Sequence, residues 1–258
     1  MSTPSDDFSA RVLLAWPEEM RVLRRFGLRD GLRLLDLGSG PGVVAAELLR
    51  ALPGTVLVGV ESNGHNISMA QGATEAVAAR ARLLQGDVAH LPFRPRSFDF
   101  AMARLLFQYL PHPADTAREA LRVLRPGGRL VLTDVDRELT FAVHPELPEL
   151  DALIDRYDAL HRERGGDRGV GARLKDLLRE AGAERVEGET IRFESQHKTA
   201  ELFLESLMGT SRMRDLRDSG HASPSEIDAF VAARAQWLLA PGRAVTRYLR
   251  MACGTRAP

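Results

Sequence analysis

The sequence predicts an α/β fold, a doubly wound and mostly parallel sheet with helices on both faces. Two observations lead to this prediction. Five apolar segments, each without a polar face, alternate with segments whose apolar residues recur at helical spacing. The first apolar segment, 32–37, runs directly into glycines at alternate positions, Gly38, Gly40 and Gly42, and a helical pattern follows at once. This order is typical of a buried parallel strand, a tight turn and a helix N-terminus.

The composition is that of an ordinary soluble globular chain. Its 258 residues, 44% hydrophobic and 27% charged, suit one large α/β domain with added elements. The formal net charge is zero, so no overall field favours nucleic acid or an anionic membrane. Cys253 is the single cysteine, which excludes an intrachain disulfide and a cysteine metal site, and we predict no metal. Residues 1–7 lack the layout of a signal peptide, and no apolar stretch approaches the roughly 20 residues that cross a bilayer. We therefore expect a cytoplasmic protein.

The first half of the chain alternates regularly between helices and strands. Pro17 is expected to divide the helical pattern over 8–26 into two short helices, because proline fits a first turn but not a helix interior. Strands are predicted at 32–37, 55–60, 82–85, 97–103 and 129–135. Helices are predicted at 42–52, 63–79 and 114–124, the last ended by Pro126-Gly127-Gly128.

After Asp136 the alternation loosens. Residues 185–194 alternate like a sixth strand, and 243–254 can form a last strand beside it. Helices are predicted at 147–160, 174–181, 199–208 and 225–239, the last two joined by a charged linker at 212–220.

The glycine turn is predicted to hold a small polar ligand. Glycine lets a ligand approach the backbone where a β-carbon would collide with it, and the first N–H groups of the helix face the same place. Ligands of doubly wound sheets bind beyond the carboxyl ends of the strands. A dinucleotide fingerprint needs its third glycine at position 43, which is Val43, and a Gly-Lys phosphate loop is absent. The alternative is a plain strand–helix turn.

Two carboxylates follow the next two strands. Glu61 ends the second strand, where it could accept two hydrogen bonds from a ribose diol; alternatively, it is a solvated acid at a helix start. Asp87 follows the third strand and could accept from an exocyclic amino group while the Val88 amide donates to a ring nitrogen. The alternative for Asp87 is a turn aspartate that bonds its own backbone.

Together, six segments resemble class I S-adenosylmethionine-dependent methyltransferases, of the small-molecule type with a type 11 or 25 methyltransferase domain. They are LLDLGSGPG at 34–42, GVE at 59–61, QGDV at 85–88, LPF at 91–93, SFD at 97–99 and LRVLRPGG at 121–128. The resemblance covers about 30–135 in order, spacing and residue type. It implies a Rossmann-like, seven-stranded sheet whose last strand is antiparallel, with S-adenosylmethionine as cofactor and S-adenosylhomocysteine as product.

The resemblance also implies a role for each matching residue. Asp36 and the backbone at Gly38 and Gly40 would hold the methionine end of the cofactor. Glu61 would bind the ribose, and Asp87 with the Val88 amide would bind adenine. The other implied cofactor-binding positions are Ser39, Gly42, Ser62, Ala103 and Arg104, of which the last two would line the channel to the sulfonium.

We expect one structural domain in three parts. Residues 1–30 would form N-terminal lid helices, and 31–135 would form the S-adenosylmethionine-binding core. Residues 136–258 would complete the sheet and carry helical cap inserts at about 136–173 and 196–242. Aromatic residues in these outer segments, such as Phe141 and Trp237, favour a lid over a small, partly apolar or aromatic metabolite, for example a natural product or a quinone-like acceptor.

The chemistry requires little from the chain, because a sulfonium-bound methyl group is already activated and the protein mainly orients it. A general base helps only if the acceptor must lose a proton. His144, His197, Tyr157 and Asp134 are candidates, and none is assigned as catalytic. We expect a monomer or homodimer that binds a small methyl acceptor and neither nucleic acid nor membrane.

Three alternatives remain open. The basic stretches 162–173 and 243–256 allow an RNA or protein methyltransferase, although acids dilute them. A regulatory subunit that binds the cofactor without catalysis would keep Asp36, Glu61 and Asp87. A nicotinamide enzyme would bind NAD instead of S-adenosylmethionine.

Overall fold

The computed structural model describes residues 9–139, 141–195 and 199–258. Within them, the strands are β1 (Arg33–Leu37), β2 (Val56–Glu61), β3 (Ala81–Gln85), β4 (Phe98–Arg104), β5 (Leu124–Asp134), β6 (Phe141–His144), β7 (Ala183–Glu194) and β8 (Ala244–Arg256). The helices are α1 (Trp16–Arg25), α2 (Val43–Ala51), α3 (Gly64–Ala73), α4 (Pro113–Val123), α5 (Pro148–Glu163), α6 (Leu174–Glu180), α7 (Ala200–Met208), α8 (Thr210–Asp218) and α9 (Pro224–Trp237).

The strands form one sheet in the order β3-β2-β1-β4-β5-β8-β6, and β7 also pairs with β8. The first five are parallel, so their carboxyl ends lie at one edge. Asp36 near the end of β1 lies opposite Gly59 and Met102, and Glu61 at the end of β2 lies opposite Gln85. The register therefore places the residues predicted to bind a ligand along a single edge.

The last strand, β8, is antiparallel to β5, β6 and β7. The predicted mostly parallel α/β sheet with an antiparallel last strand is thereby confirmed. The short strand β6 was not predicted; it extends the pairing of β8 beyond β5, with Val143 opposite Val245. Among the described residues, none belongs to a helix long and apolar enough to span a membrane.

Two hydrophobic cores cover the two faces of the sheet, and a third lies among the added helices. Phe26 and Leu48 pack with alternate β1 residues on one face, whereas Leu121 and Leu178 pack on the other. The third core, which we call the cap core, joins α5, α7, α8 and α9 around buried apolar residues such as Phe230. Helices cover both faces because the central strands β1, β2 and β4 are buried over most of their length, whereas the edge strand β3 is partly exposed.

Three sequence predictions differ in detail from the structure. The predicted linker 212–220 is wrong: most of it belongs to α8, because Met213 and Leu216, three residues apart, give this charged segment a buried stripe. The predicted helix 63–79 ends earlier, and a 3-10 helix, Glu75–Arg80, replaces its last turns. Before Pro126, α4 already ends at Val123 and β5 begins at Leu124.

Candidate active site

Asp36 is a buried carboxyl group at the carboxyl edge of the sheet. Asp36 is 3% exposed. Burial raises the pKa of its carboxyl group to about 7; the positive charge of Arg104 opposes this shift, and the charge of Glu61 adds to it. Hydrogen bonds from the described residues make no contribution to that pKa. A buried carboxyl group without donors is costly, so Asp36 marks a place where a ligand can supply them.

The glycine turn follows Asp36. Gly38, Gly40 and Gly42 have φ values of 67°, 53° and 77°, in the left-handed region that favours glycine. A β-carbon on Gly42 would lie 2.8 Å from the Ala70 Cβ, which shows that this glycine lets α2 pack closely on α3. A β-carbon on Gly40 would meet no atom within 4 Å. Gly40 is therefore the position where the turn is open to a ligand.

Glu61 is hydrogen-bonded to this turn. Its Oε2 accepts from the Gly40 amide at 2.9 Å, and its Oε1 accepts from the Asn63 amide at 2.9 Å. The neighbouring Ser62 hydroxyl lies 3.5 Å from Oε1. The structure thus brings Glu61 and the glycine turn together, and it also places Glu61 at the start of α3.

Asp87 and Val88 lie in the loop after β3. Asp87 is exposed; its Oδ1 accepts from the Ala89 amide at 2.9 Å and its Oδ2 lies 2.9 Å from His90 Nδ1. The hydrogen bond to His90 lowers the pKa of Asp87. This geometry is that of a turn aspartate that accepts from the backbone, which was the alternative interpretation of Asp87 in the sequence analysis. Val88 is buried in the sheet core that contains Leu121 and Leu178.

Two predicted cofactor-binding residues have structural neighbours that the sequence did not indicate. Ser39 is buried, its hydroxyl lacks a partner among the described residues, and it packs against Gly59. At the end of β4, Ala103 is buried, and Arg104 donates to both oxygens of Glu19, at 2.7 and 2.8 Å. Glu19, 1% exposed, is a charged residue on the buried face of α1. This pair fastens α1 to the sheet.

A cavity of about 250 Å³ opens beside Arg104. Its walls come from the N-terminal segment, the loop after β4, the connection between α5 and α6, the helices α7 and α8, and the strands β7 and β8. We call it the acceptor cavity, after the role that we propose for it under the proposed function. It is smaller than the roughly 300–1,000 Å³ typical of sites for drug-sized ligands. Its size and position therefore suit one small molecule.

Five arginines line the acceptor cavity, of which Arg11 is paired with the cavity residue Glu205. Arg104 is paired with Glu19, and Arg168 is paired with Asp158 at 2.5 Å. Arg212 donates to the Ser206 carbonyl at 3.1 Å, and Arg247 donates to the Ser206 hydroxyl at 2.7 Å. Burial, together with the positive charges of Arg212, Arg168 and Arg104, lowers the pKa of Arg247 to about 9. The cavity is strongly electropositive. The sequence did not indicate this property, because the arginines that line the cavity are far apart along the chain.

Three of the four candidate bases belong to the described part of the chain, and none of these three lines the acceptor cavity. His144 is exposed at the end of β6, and His197 lies outside the described residues. Tyr157 is buried, with its ring beneath Arg168 and Arg212 at 5.3 and 5.0 Å from the centroid. These two tyrosine contacts orient cavity arginines.

Asp134 lies behind the cavity wall. It is completely buried, which raises its pKa to about 7, and it accepts from Gln108 Nε2 at 2.7 Å and from the amides of Gln108 and Val135. Gln108 itself lines the cavity, and its Oε1 is buried without a partner among the described residues. His161 Nε2–H donates to the Gln108 carbonyl at 2.7 Å. Asp134 and His161 therefore position Gln108, a role that local sequence patterns do not indicate for either residue.

No group of three metal-ligating side chains occurs within the described ranges.

A family model described as a methyltransferase domain matches residues 35–132. An uncharacterised 37.1 kDa protein in transposon Tn4556 of Streptomyces fradiae is 34% identical, over 62% of this chain and 46% of that protein. The chain thus spans less than half the length of that relative.

A second relative is the ubiquinone/menaquinone biosynthesis C-methyltransferase of Pseudomonas entomophila, 30% identical over 64% of this chain and 72% of that protein. Among solved structures, phosphoethanolamine N-methyltransferase 2 of Haemonchus contortus, in complex with S-adenosyl-L-methionine, has a TM-score of 0.63. It is 17% identical, and the match covers 99% of this chain and 58% of that one, which shows a shared fold. With its matching domain, its relatives and its sheet, the chain belongs to the class I S-adenosylmethionine-dependent methyltransferases.

Proposed function

We propose that this protein transfers a methyl group from S-adenosylmethionine to a small, partly apolar metabolite bound in the acceptor cavity, by in-line displacement. The observation that carries this proposal is the position of Arg104. Its guanidinium lines the cavity, and its charge acts on Asp36 at the carboxyl edge of the sheet. The two sites therefore adjoin, as a direct transfer requires.

The carboxyl edge of the sheet around Asp36, Gly40 and Glu61, which we call the cofactor edge, fits S-adenosylmethionine in three respects. The Asp36 carboxyl group lacks hydrogen-bond donors, which the ammonium of the methionine end would supply. The backbone at Gly38 and Gly40 would hold the same end, since the space beside Gly40 is open. Glu61 would turn its carboxylate to the ribose diol. We retain Asp87 and the Val88 amide for adenine, together with contacts from Ser39, Gly42, Ser62, Ala103 and Arg104.

When bound, the cofactor supplies a methyl group already activated by the sulfonium. The chain holds the acceptor in line with it and keeps water out. Gln108 Oε1 can accept a hydrogen bond from an N–H or O–H of the acceptor and so orient its lone pair. Among the described cavity residues, Glu205 is the one carboxylate, and it is paired with Arg11 and Arg234. This lining favours an acceptor that needs no prior deprotonation.

The proposed lid consists of the segments 1–30, 136–173 and 196–242, around the core 31–135. Arg11, Arg168 and Arg212, one from each segment, line the cavity and support this division. The Pseudomonas relative is, by its name, a C-methyltransferase of ubiquinone and menaquinone biosynthesis, which supports a small acceptor with an apolar part. We further propose a monomer or homodimer that acts on cytoplasmic metabolites.

The test combines binding with methyl transfer. Calorimetry with S-adenosylhomocysteine and with NAD should show binding of the first alone. Methyl-labelled S-adenosylmethionine, incubated with the protein and a bacterial extract, should label the small-molecule fraction. Label confined to RNA or protein would contradict the proposed acceptor class. Cofactor binding without label in any fraction would instead favour a regulatory subunit.

A further inference from the structure

We propose that the methyl acceptor carries an anionic group, a carboxylate or a phosphate, which Arg168, Arg212 and Arg247 bind inside the acceptor cavity. The proposal deepens the proposed function and rests on it. It concerns which end of the acceptor the cavity recognises.

The charges around the cavity do not balance. Arg11 is paired with Glu205 and Arg104 with Glu19, whereas Arg168 shares Asp158 with Arg137. Among the described residues, no carboxylate forms an ion pair with Arg247, and the charged groups that act on its pKa are three further arginines. Arg212 likewise has backbone carbonyls and an aromatic ring as its contacts. Two guanidinium groups thus face the cavity without a carboxylate.

The burial of Arg247 makes this imbalance significant. The residue is 9% exposed, and its Nε has no hydrogen-bond partner in the part of the chain that the structure describes. Burying an unpaired charge is strongly unfavourable. A residue that served the fold alone would have its donors satisfied, so the unpaired Nε indicates a ligand that completes it.

The surrounding contacts aim the arginines at one place. Ser206 receives Arg247 on its hydroxyl and Arg212 on its carbonyl, at 2.7 and 3.1 Å. The Tyr157 ring lies beneath both Arg168 and Arg212. Planar guanidinium groups held in this way bind the two oxygens of a carboxylate or phosphate in parallel. Because the cavity is small and walled, it suits a single anionic metabolite and not a polyanionic chain.

The apolar part of the acceptor has its own wall. Tyr109, Phe193 and Leu249 line the same cavity. The cavity therefore matches a molecule with an anionic group at one side and an apolar or aromatic body at the other. Benzoate and inorganic phosphate represent the two anion chemistries.

The experiment titrates the complete protein with each probe at constant ionic strength and follows the midpoint of thermal unfolding. It is done with and without saturating S-adenosylhomocysteine, and chloride serves as the reference anion. We expect phosphate or benzoate to raise the midpoint, since a ligand that binds the folded state stabilises it. The probe with the larger shift identifies the anion class.

Two variants assign the effect to the cavity. Arg247→Met and Arg212→Gln should weaken probe binding on the order of tenfold or more, as expected for the loss of a charge-assisted hydrogen bond. Arg214→Gln is the matched control: it removes the same charge from α8, and Arg214 is exposed and does not line the cavity. It should bind the probes like the wild type. Arg247→Met should also unfold at a higher temperature than the wild type when no probe is present, because it removes a buried, unpaired charge.

Three results would overturn the proposal. One is a wild-type protein whose midpoint responds to neither probe beyond chloride. Another is a loss of probe binding in Arg214→Gln equal to that in Arg212→Gln. The third is unchanged probe binding in both cavity variants. If Arg247→Met does not fold, Arg212→Gln and the wild-type titration decide. Failure of S-adenosylhomocysteine to bind would instead refute the proposed function, and the titration without it would still test the anion site.

Discussion

At the scale of single residues, the proposed contact between Asp36 and the cofactor is expected to make cofactor binding depend on pH. Burial raises its pKa to about 7, so the carboxyl group is largely protonated below that pH. Binding of a cationic ammonium requires the carboxylate. We expect the affinity for S-adenosylhomocysteine to be constant above about pH 7 and to fall up to about tenfold per pH unit below it. Calorimetry between pH 5.5 and 8 measures this. Asp36→Asn should bind weakly with no such slope; an unchanged slope would assign it to another group.

The same carboxyl group affects stability with a defined sign. Between its ordinary pKa of 3.8 and its folded pKa of about 7, the folded state holds more protons than the unfolded state. The free energy of unfolding therefore decreases as the pH rises through this window. We expect Asp36→Asn to raise the thermal midpoint of the ligand-free protein at pH 8, by a gain that shrinks towards pH 4. Asp134→Asn is the comparison, because Asp134 has the same pKa direction but accepts three hydrogen bonds. A gain that stays constant with pH would contradict this prediction.

Glu61 should contribute to cofactor affinity through its charge. A hydrogen bond to an ionised group contributes roughly 1.5–3 kcal/mol. Glu61→Gln should therefore weaken S-adenosylhomocysteine binding by about 10- to 200-fold. Glu75→Gln, an exposed carboxylate on the following 3-10 helix, is the matched control and should bind normally. Equal affinities of the two variants would remove Glu61 from the site.

The sequence located side chains in the fold where a local motif determines their place, although their roles stay predictions. Asp36, the glycines and Glu61 lie at or directly after the carboxyl ends of strands, and the sheet brings these ends together. Glu19 and Arg247 could not be found in this way. Each is a charged residue on the buried side of its element, and its role depends on a neighbour far away in the chain.

At the scale of elements, substitutions in the glycine turn should have two different effects, a loss of fold stability at one glycine and a loss of cofactor affinity at another. Gly42→Ala places a methyl group 2.8 Å from the Ala70 Cβ at a φ of 77°, so it should destabilise the fold by about 1–3 kcal/mol. Gly40→Ala has open space at a φ of 53° and should mainly reduce cofactor affinity, because its methyl group occupies the ligand's place. Urea unfolding and calorimetry on both variants compare these outcomes. A larger loss of stability in Gly40→Ala would contradict the assignment.

The elements predicted from the sequence were those with a strong period. The central parallel strands β1, β2 and β4 have mostly apolar, buried residues, and α5 and α7 keep their apolar residues on one face. The helix α8 was missed because its few apolar residues stand among five charged ones. The strand β6 is too short to show a period, and its pairing with β8 makes it a strand.

At the scale of the whole molecule, the acceptor cavity exists only in the folded chain. Arg168 and Arg247 belong to the two basic stretches that kept an RNA methyltransferase open as an alternative, and both turn inwards. Their convergence with Arg212 depends on the packing of α5, α8 and β8. Composition and spacing cannot indicate such a charge cluster, because the total charge is zero and the members are far apart in sequence.

Because the cap core is separate from the two sheet cores, a substitution in one core should mainly affect the stability and ligand binding of its own region. Phe230 is fully buried in the cap core, whereas Phe100, a residue of β4, is buried in one of the two sheet cores. Phe230→Leu should cost about 1–2 kcal/mol and raise amide hydrogen exchange in α5 and α7–α9, with little change in β1–β4. Anion binding should weaken, since α7 and α8 carry Ser206 and Arg212, while cofactor affinity stays near that of the wild type. Phe100→Leu, the matched variant, should instead lower cofactor affinity and the protection of the parallel strands. If Phe230→Leu exposed all regions equally, the cap and the sheet would unfold as one unit, and cofactor and acceptor binding would be lost together.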